Sequence, residues 1–353
     1  MLVGKKIFLT GHTGFKGSWL TLWLQHLRAQ VTGYALPPAT TPNMFELIQI
    51  KTSLVGHYAA DIRNGKWLTA AMQTAAPELV LHLAAQPLVR ASYRNPLETW
   101  ETNLMGTVHL LEAVRQTPSV KAVLIVTTDK CYCNNEWVWG YRETDSLGGH
   151  DPYSASKAAT ELVAASYRQS FLAERGVLLA TARAGNVIGG GDWSDDRLIP
   201  DAARAAAAGT PLIIRSPGAT RPWQHVLDAL HGYLLLAQEL LSGNTAAADA
   251  WNFGPDAADN LPVATVLNRL QQHWPELVWQ TTAPPDTFHE AGMLYLDSSK
   301  ARRVLGWQPR WGLDEALRQT AEWYRTVLAE PAVAPDITKR QLDAFFAKGP
   351  SLS

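Results

Sequence analysis

KIFLTGHTGFKG, residues 6–17, is the stretch of this 353-residue chain that decides its fold. It joins an apolar strand to an amphipathic helix through a turn that contains Gly11, Gly14 and Gly17. Glycines let such a turn tighten, and they let backbone N–H groups at the start of the helix approach a pyrophosphate. The order of strand, glycine turn and helix therefore predicts a dinucleotide-binding βαβ unit.

Later strands predict the rest of a cofactor site. The strand over residues 30–35 ends without the acidic residue that commonly binds an NAD ribose. It also lacks an arginine for the extra phosphate of NADP, so this feature leaves both cofactors open. Asp61 and Ile62 follow the next strand. Asp61 either meets the adenine or caps the helix that we expect over residues 64–76.

Together with the strand that begins at residue 123, two more strands bring the total to the six of a Rossmann sheet. One begins at residue 79 and ends in Leu83, Ala84 and Ala85, where small side chains let a cofactor lie close to the backbone; the sixth covers residues 178–183. Asn103, in a helix expected over residues 97–116, either turns toward the active site or is capped or solvated. We expect an α/β fold, a Rossmann-type doubly wound parallel sheet with a smaller, interleaved C-terminal substrate domain. The dinucleotide-binding domain is expected over residues 1–184 plus about 227–254, and the substrate domain over about 185–226 plus 255–353.

A second stretch, residues 123–157, carries the reactive groups. Its buried strand ends in the polar residues Thr127, Thr128, Asp129 and Lys130. Open α/β sheets place their chemistry at that end of the strand. Tyr153 and Lys157 follow on a helix whose period puts them on one face. Because a nearby positive charge favours an ionised phenol, we expect Lys157 to lower the pKa of Tyr153.

Composition excludes several functions. The formal net charge is -1 and no long block of one sign occurs, so neither nucleic acid nor a membrane surface is an expected partner. The two cysteines, Cys131 and Cys133, are too close for an ordinary disulfide and too few for a metal site, which is typical of a reducing compartment. No secretion signal or long apolar run is present. We therefore expect a cytoplasmic protein without a metal.

The motifs together resemble those of the extended short-chain dehydrogenase/reductase family. The resemblance covers essentially the whole chain, and the residues that carry it are Gly11, Gly14, Gly17, Leu83, Ala84, Ala85, Asn103, Tyr153 and Lys157. Within that family, four stretches are similar to the 4,6-dehydratases of nucleotide sugars: residues 10–17, 128–130, 183–193 and 220–226. This resemblance implies NAD as a tightly held cofactor and CDP-glucose as the substrate. The implied product is CDP-4-dehydro-6-deoxy-D-glucose, made early in deoxysugar synthesis for surface polysaccharide.

The resemblance also implies which residues bind. For the cofactor they are Gly11, His12, Thr13, Gly14, Phe15, Lys16, Gly17, Asp61, Ile62, Leu83, Ala84, Ala85, Asn103, Thr127, Tyr153 and Lys157. For the substrate they are Gln86, Asn186, Arg197, Leu198, Arg215, Arg221 and His289. His12 and Lys16 either add positive charge at the phosphates or are solvated loop residues.

Five residues take catalytic roles under the same resemblance. Tyr153 takes the proton of the 4-hydroxyl, Lys157 holds the nicotinamide ribose, and Thr128 holds the 4-oxygen. Asp129, if protonated, is the acid for the C6 oxygen. The chain departs from dTDP-glucose dehydratases, which carry Glu where it has Lys130. Lys130 is either a neutral amine that removes the C5 proton or a charged group that stabilises the enolate.

Two other functions stay open at this point. A nucleotide-sugar 4-epimerase shares the cofactor turn and the Tyr153/Lys157 pair, although it has no need of Asp129 and Lys130. A dinucleotide-sensing module without catalysis is the other alternative. By the resemblance, the helices after Asn103 and Tyr153 form the seam of a homodimer or homotetramer.

Overall fold

The computed structural model describes residues 2–282 and 292–349. Within them the strands are β1 (Lys6–Thr10), β2 (Gln30–Ala35), β3 (Gly56–Ala59), β4 (Leu79–His82), β5 (Ala122–Val126), β6 (Leu178–Ala184), β7 (Asn186–Ile188), β8 (Leu212–Ile214), β9 (Thr220–His225), β10 (Ala250–Phe253), β11 (Asn260–Pro262) and β12 (Trp279–Thr281). The largest sheet is parallel and has the order β10-β6-β5-β4-β1-β2-β3. The predicted Rossmann-type fold is confirmed, and β10 adds a seventh strand to the six that we expected.

Helices connect these strands. In the same ranges they are α1 (Phe15–His26), α2 (Met44–Leu47), α3 (Gly65–Ala75), α4 (Val89–Arg94), α5 (Pro96–Trp100), α6 (Gly106–Arg115), α7 (Pro152–Tyr167), α8 (Leu198–Ala208), α9 (Val226–Leu241), α10 (Val263–His273), α11 (Ser299–Val304), α12 (Leu313–Ala329) and α13 (Ala334–Ala347). The helix expected over residues 97–116 is α5 and α6, joined by a π-helical turn, Glu101–Met105. Asn103 lies in that turn.

Alternating side chains of the central strands enter two separate cores. In β5, Leu124 packs into the core under α1 and α9, while Val123 and Ile125 pack into the core under α3, α6 and α7. Successive side chains of a strand point to opposite faces, so a sheet covered by helices on both faces needs apolar residues at every position. This is why the run from Ala122 to Val126 is apolar throughout.

Small sheets and helices follow the sixth strand. Strand β9 pairs with β7 and β11, and β8 pairs with β12. Helix α9 then returns to the large sheet, where it packs on β5 and β6. The interleaved domain boundaries remain a prediction. Across residues 2–282 and 292–349, no helix has both the length and the apolar character needed to span a membrane.

Asp228, in the first turn of α9, is a buried carboxyl that makes stability depend on pH. Although it accepts a 2.6 Å hydrogen bond from the Arg310 N–H, burial raises its pKa from 3.8 to about 7. The folded protein therefore keeps a proton that the unfolded chain releases, and stability falls as the pH rises between those values. We expect Asp228→Asn to raise the free energy of unfolding by on the order of 3 kcal/mol at about pH 8 and to change little near pH 4. Denaturant unfolding at both pH values measures this, and an equal gain at both would contradict it.

Candidate active site

A cavity of about 1100 Å³ opens at the C-terminal ends of β1, β4 and β5. Its wall includes the glycine turn, the end of β2, the loop after β4, the end of β5 and the start of α7. The strand order reverses between β1 and β4, and open α/β sheets bind their ligands at such a point. The cavity is therefore in the place where this fold positions a dinucleotide and a substrate together.

The glycine turn has the shape that a diphosphate needs. Gly11 has φ +75°, and a Cβ there would lie 2.6 Å from the backbone N of Ala84. A Cβ on Gly17 would collide with the carbonyl oxygen of Gly11. Gly14 is the N-cap residue of α1 and has no side chain that could bond to the N–H groups of the first turn. That turn lines the cavity. The N–H groups of that turn can therefore meet an anion at the positive end of the helix.

Asp61 and Ile62 line the cavity as predicted, together with the unpredicted Arg63. The Arg63 Nη2 lies 2.6 Å from Asp61 Oδ2, and this contact holds the pKa of Asp61 below its usual value. The side chain of Asn64, and not that of Asp61, caps α3 by accepting from Trp67 N–H at 3.1 Å. The alternative role of Asp61 as the helix cap is therefore wrong. The sequence did offer a signal for Arg63, since it lies two residues after Asp61, which we predicted as a ligand.

His12 and Lys16 have different surroundings, although both belong to the glycine turn. His12 is buried away from the cavity wall, with its Nε2 2.8 Å from His57 Nδ1. His12 is fully buried and burial lowers its pKa to about 3, so both interpretations of His12, a charge at the phosphates and a solvated loop residue, are wrong. Lys16 lines the cavity, and its Nζ donates to Tyr233 Oη at 3.4 Å. Burial lowers the pKa of Lys16 to about 7, since burial disfavours the charged form.

Asn103 and Gln86 lie behind the cavity wall. Asn103 Oδ1 accepts from the Gln86 N–H at 2.8 Å, and its Nδ2 donates to Ser156 Oγ at 2.9 Å. The side chain of Gln86 binds both backbone groups of Leu88. Contrary to the expectation for these two residues, neither forms part of the wall. Asn103 fastens the loop after β4 to α7, whereas Gln86 Nε2 also donates to Thr99 Oγ1, in α5, at 2.9 Å.

Thr127, Thr128, Lys130, Tyr153 and Lys157 all line the cavity. Burial raises the pKa of Tyr153 to about 12, although a hydrogen bond with Thr128 and the charge of Arg197 act in the opposite direction. Lys157 Nζ donates to the Val126 carbonyl at 3.2 Å, and burial lowers its pKa to about 8. The expected lowering of the Tyr153 pKa by Lys157 is therefore not found in this structure, where desolvation of the phenol dominates.

Asp129 and Lys130 form an ion pair beside this cluster. Asp129 is fully buried, and its Oδ1 lies 3.0 Å from Lys130 Nζ and accepts from Thr128 Oγ1 at 3.0 Å. Lys130 Nζ also donates to Asn186 Oδ1, in β7, at 3.3 Å. The two side chains are thus in direct contact, but only Lys130 lines the cavity, and Asp129 is not part of the wall.

The predicted substrate residues Asn186, Arg197, Leu198, Arg215 and Arg221 line the same cavity. Arg197 Nη1 lies 2.9 Å from Asp192 Oδ2, and Asp192, which we did not predict as a site residue, also belongs to the wall. Several arginines at this end provide the positive charge that a diphosphate requires. His289 lies outside the described residues.

Comparisons with known proteins agree with this architecture. Residues 8–320 match the family model of GDP-mannose 4,6 dehydratase, and the chain belongs to that family. Over 327 residues it is 49% identical to the CDP-glucose 4,6-dehydratase of Salmonella typhimurium, covering 91% of this chain and 91% of that protein. It is 28% identical over 346 residues to the dTDP-glucose 4,6-dehydratase of the same organism, covering 90% of this chain and 92% of that protein. The predicted family is confirmed.

Solved structures support the fold. The dTDP-glucose 4,6-dehydratase of Streptomyces venezuelae, with NAD and TYD bound, has a TM-score of 0.78 at 24% identity, covering 92% of this chain and 99% of that one. A UDP-glucose-4-epimerase from Stenotrophomonas maltophila has a TM-score of 0.79 at 23% identity, covering 92% of this chain and 98% of that one. At these identities the likeness concerns the fold alone, because both reactions occur on it.

Proposed function

We propose that the protein converts CDP-D-glucose to CDP-4-dehydro-6-deoxy-D-glucose and water, with NAD as a tightly held cofactor. The observation that carries the proposal is one cavity lined by the glycine turn, Tyr153, Lys157 and the segment that contains Thr128 and Lys130. An epimerase needs the first three of these features but has no use for the Asp129–Lys130 ion pair. The 49% identity to a CDP-glucose 4,6-dehydratase supports the same choice.

The first half of the reaction concerns the 4-hydroxyl. The glycine turn and Lys157 would hold the cofactor, which would supply the hydride acceptor for C4 and the hydride donor for C6. Tyr153 takes the hydroxyl proton, and Thr128, which hydrogen-bonds to Tyr153, holds the same oxygen. Lys157, which lines the cavity, would hold the cofactor ribose through its amine. Tyr153 is only 8% exposed, which limits the access of water to the proton that it takes.

The second half removes water across C5 and C6. A carbonyl at C4 acidifies the C5 proton. The elimination then needs a base at C5 and an acid at the C6 oxygen. Transfer of one proton from Lys130 to Asp129 across their 3.0 Å contact provides the base as a neutral amine and the acid as a neutral carboxylic acid. Lys130 then takes the C5 proton while Asp129 gives its proton to the departing C6 oxygen. In the alternative, Lys130 stays charged and stabilises the enolate.

The substrate diphosphate is proposed to bind at the arginine end of the cavity. Arg197, Arg215 and Arg221 all line it, and Arg197 is held by Asp192. A chain with net charge -1 offers no general attraction for an anion, so these local guanidinium groups have to supply it. Asn186 and Leu198 complete the wall beside them.

Incubation with NAD and a panel of CDP-, dTDP-, GDP- and UDP-glucose tests the proposal. We expect a 4-keto-6-deoxy product from CDP-glucose, with at least about tenfold lower kcat/KM for the other nucleotides, as one or two unmatched base contacts cost. Formation of CDP-galactose would identify an epimerase. Binding of NAD without any product would identify a sensing module.

We further propose a homodimer or homotetramer in the cytoplasm. Leu97, Met105 and Leu162, on α5 to α7, are apolar side chains exposed by 70%, 44% and 62%, which supports a helical seam between two copies. The free thiols of Cys131 and Cys133 are compatible with a reducing compartment. Sedimentation of the purified protein tests the assembly.

A further inference from the structure

A buried ion pair lies directly behind the reactive segment, which we define as residues 128–130. Glu161 stands one helical turn after Lys157 on α7, and Arg183 lies in β6. Their side chains are 2.8 Å apart and each is only 3% exposed. Buried ion pairs contribute little net stability compared with apolar residues of similar size. The pair therefore calls for an explanation other than stability.

Glu161 is attached to the residue just before the reactive segment. Its Oε1 accepts a hydrogen bond from Thr127 Oγ1. Its Oε2 accepts from Thr181 Oγ1 at 2.7 Å as well as from Arg183. Because the Thr127 hydroxyl donates to Glu161, it fixes the end of β5 against α7, the helix that carries Tyr153 and Lys157.

Arg183 is attached to the chain just after the reactive segment. Its Nη1 donates to Tyr132 Oη at 2.7 Å and to the Glu143 carbonyl at 3.2 Å. The Tyr132 hydroxyl in turn donates to Asn252 Oδ1, in β10, at 2.7 Å. The chain from Thr127 to Tyr132 is thus held at both ends by the two members of one ion pair.

We propose that Glu161 and Arg183 are positioning residues that set the place of Asp129 and Lys130 relative to Tyr153. The inference rests on the proposed function, since it assigns the elimination step to the segment being held. Catalytic groups displaced by about 1 Å lose roughly 100-fold in rate, so a rigid support on both sides has a direct catalytic value. Glu161 also opposes the effect of burial on the pKa of Lys157, because its negative charge favours the ammonium.

Two threonines that donate to the carboxylate of Glu161 provide a matched test. Thr127→Val and Thr181→Val each remove one hydroxyl donor to Glu161, but only Thr127 adjoins the reactive segment. We expect similar small losses of Tm in both variants. For Thr127→Val we expect kcat to fall about 10-fold or more with KM for CDP-glucose within about twofold, whereas Thr181→Val keeps kcat within about twofold. In Thr127→Val the loss should fall on deuterium exchange at C5, so that reduced cofactor accumulates.

Amide hydrogen exchange over residues 127–133, measured by mass spectrometry without substrate, tests the attachment independently of activity. We expect faster exchange in Thr127→Val and in Tyr132→Phe, and wild-type exchange there in Thr181→Val. Equal kcat in the two threonine variants, or unchanged exchange in Thr127→Val, would overturn the positioning role. A wild-type protein that leaves CDP-glucose unchanged would overturn the proposed function instead, while the exchange experiment still decides whether the pair holds the segment.

Discussion

Lys130→Ala should lower kcat for CDP-glucose by about 1000-fold, the typical contribution of a positioned acid or base. The variant loses the group that we propose acts at C5 under either role of Lys130, and it leaves the buried Asp129 without its 3.0 Å partner. Hydride transfer should survive, because Tyr153 and Lys157 are carried by α7 and not by the altered segment. The measurement is deuterium incorporation at C5 from heavy water, together with the absorbance of reduced cofactor after mixing. We expect the incorporation to vanish while the absorbance rises.

Two further variants separate the roles that Lys130 can take. Lys130→Glu keeps a group that can accept a proton, so it should recover C5 exchange only if Lys130 acts as a base. Lys130→Arg keeps the charge but cannot become a neutral amine, so it should recover exchange only if the charge is what matters. Lys121→Ala, at an exposed lysine paired with Glu78, is the matched control and should behave as wild type. Full turnover by Lys130→Ala would exclude both roles.

The fold could be predicted well from the sequence because the pattern that indicates it reflects the backbone geometry of turns and strands. The glycines of residues 11–17 and the apolar runs of β1, β4 and β5 depend on local geometry and on burial from two faces, and both can be read from residue order. The same reasoning brought Tyr153, Lys157 and Lys130 to one edge of the sheet. The seventh strand, β10, lies within the segment that we assigned to the first domain, but it is only four residues long and its pairing with β6 is distant in sequence.

The direction and the solvation of individual side chains could not be predicted from the sequence. His12 and Lys16 are four residues apart in one turn, yet the first is buried against His57 and the second enters the cavity. Asn103 was expected at the active site, but a π-helical turn directs it to Gln86 and Ser156. For Tyr153, residue order indicated a nearby ammonium, whereas the pKa depends on how much water the folded protein removes from the phenol.

Tyr153→Phe should lower kcat by up to about 10,000-fold, because it removes the proposed base for the first proton and every later step depends on that one. The ring remains to fill its buried site, so the Tm should change little. Unlike Lys130→Ala, this variant should give neither reduced cofactor nor deuterium at C5. Conversely, accumulation of reduced cofactor in Tyr153→Phe would show that another group takes the 4-hydroxyl proton.

The pH dependence of the wild type follows from the same tyrosine and its neighbour. Under the proposed mechanism the active form needs Tyr153 ionised and Lys157 charged, while burial places their pKa values at about 12 and about 8. Below about pH 8 the ionised fraction of the phenol rises tenfold per pH unit and Lys157 stays charged, so kcat/KM should rise with pH. Above about pH 8 each gain in phenolate is offset by an equal loss of ammonium, so the rate should level off. Lys157→Met removes the second titration. Its residual rate should therefore continue to rise through the pH at which the wild type levels off, and a profile that still levels off there would assign the break to a different group.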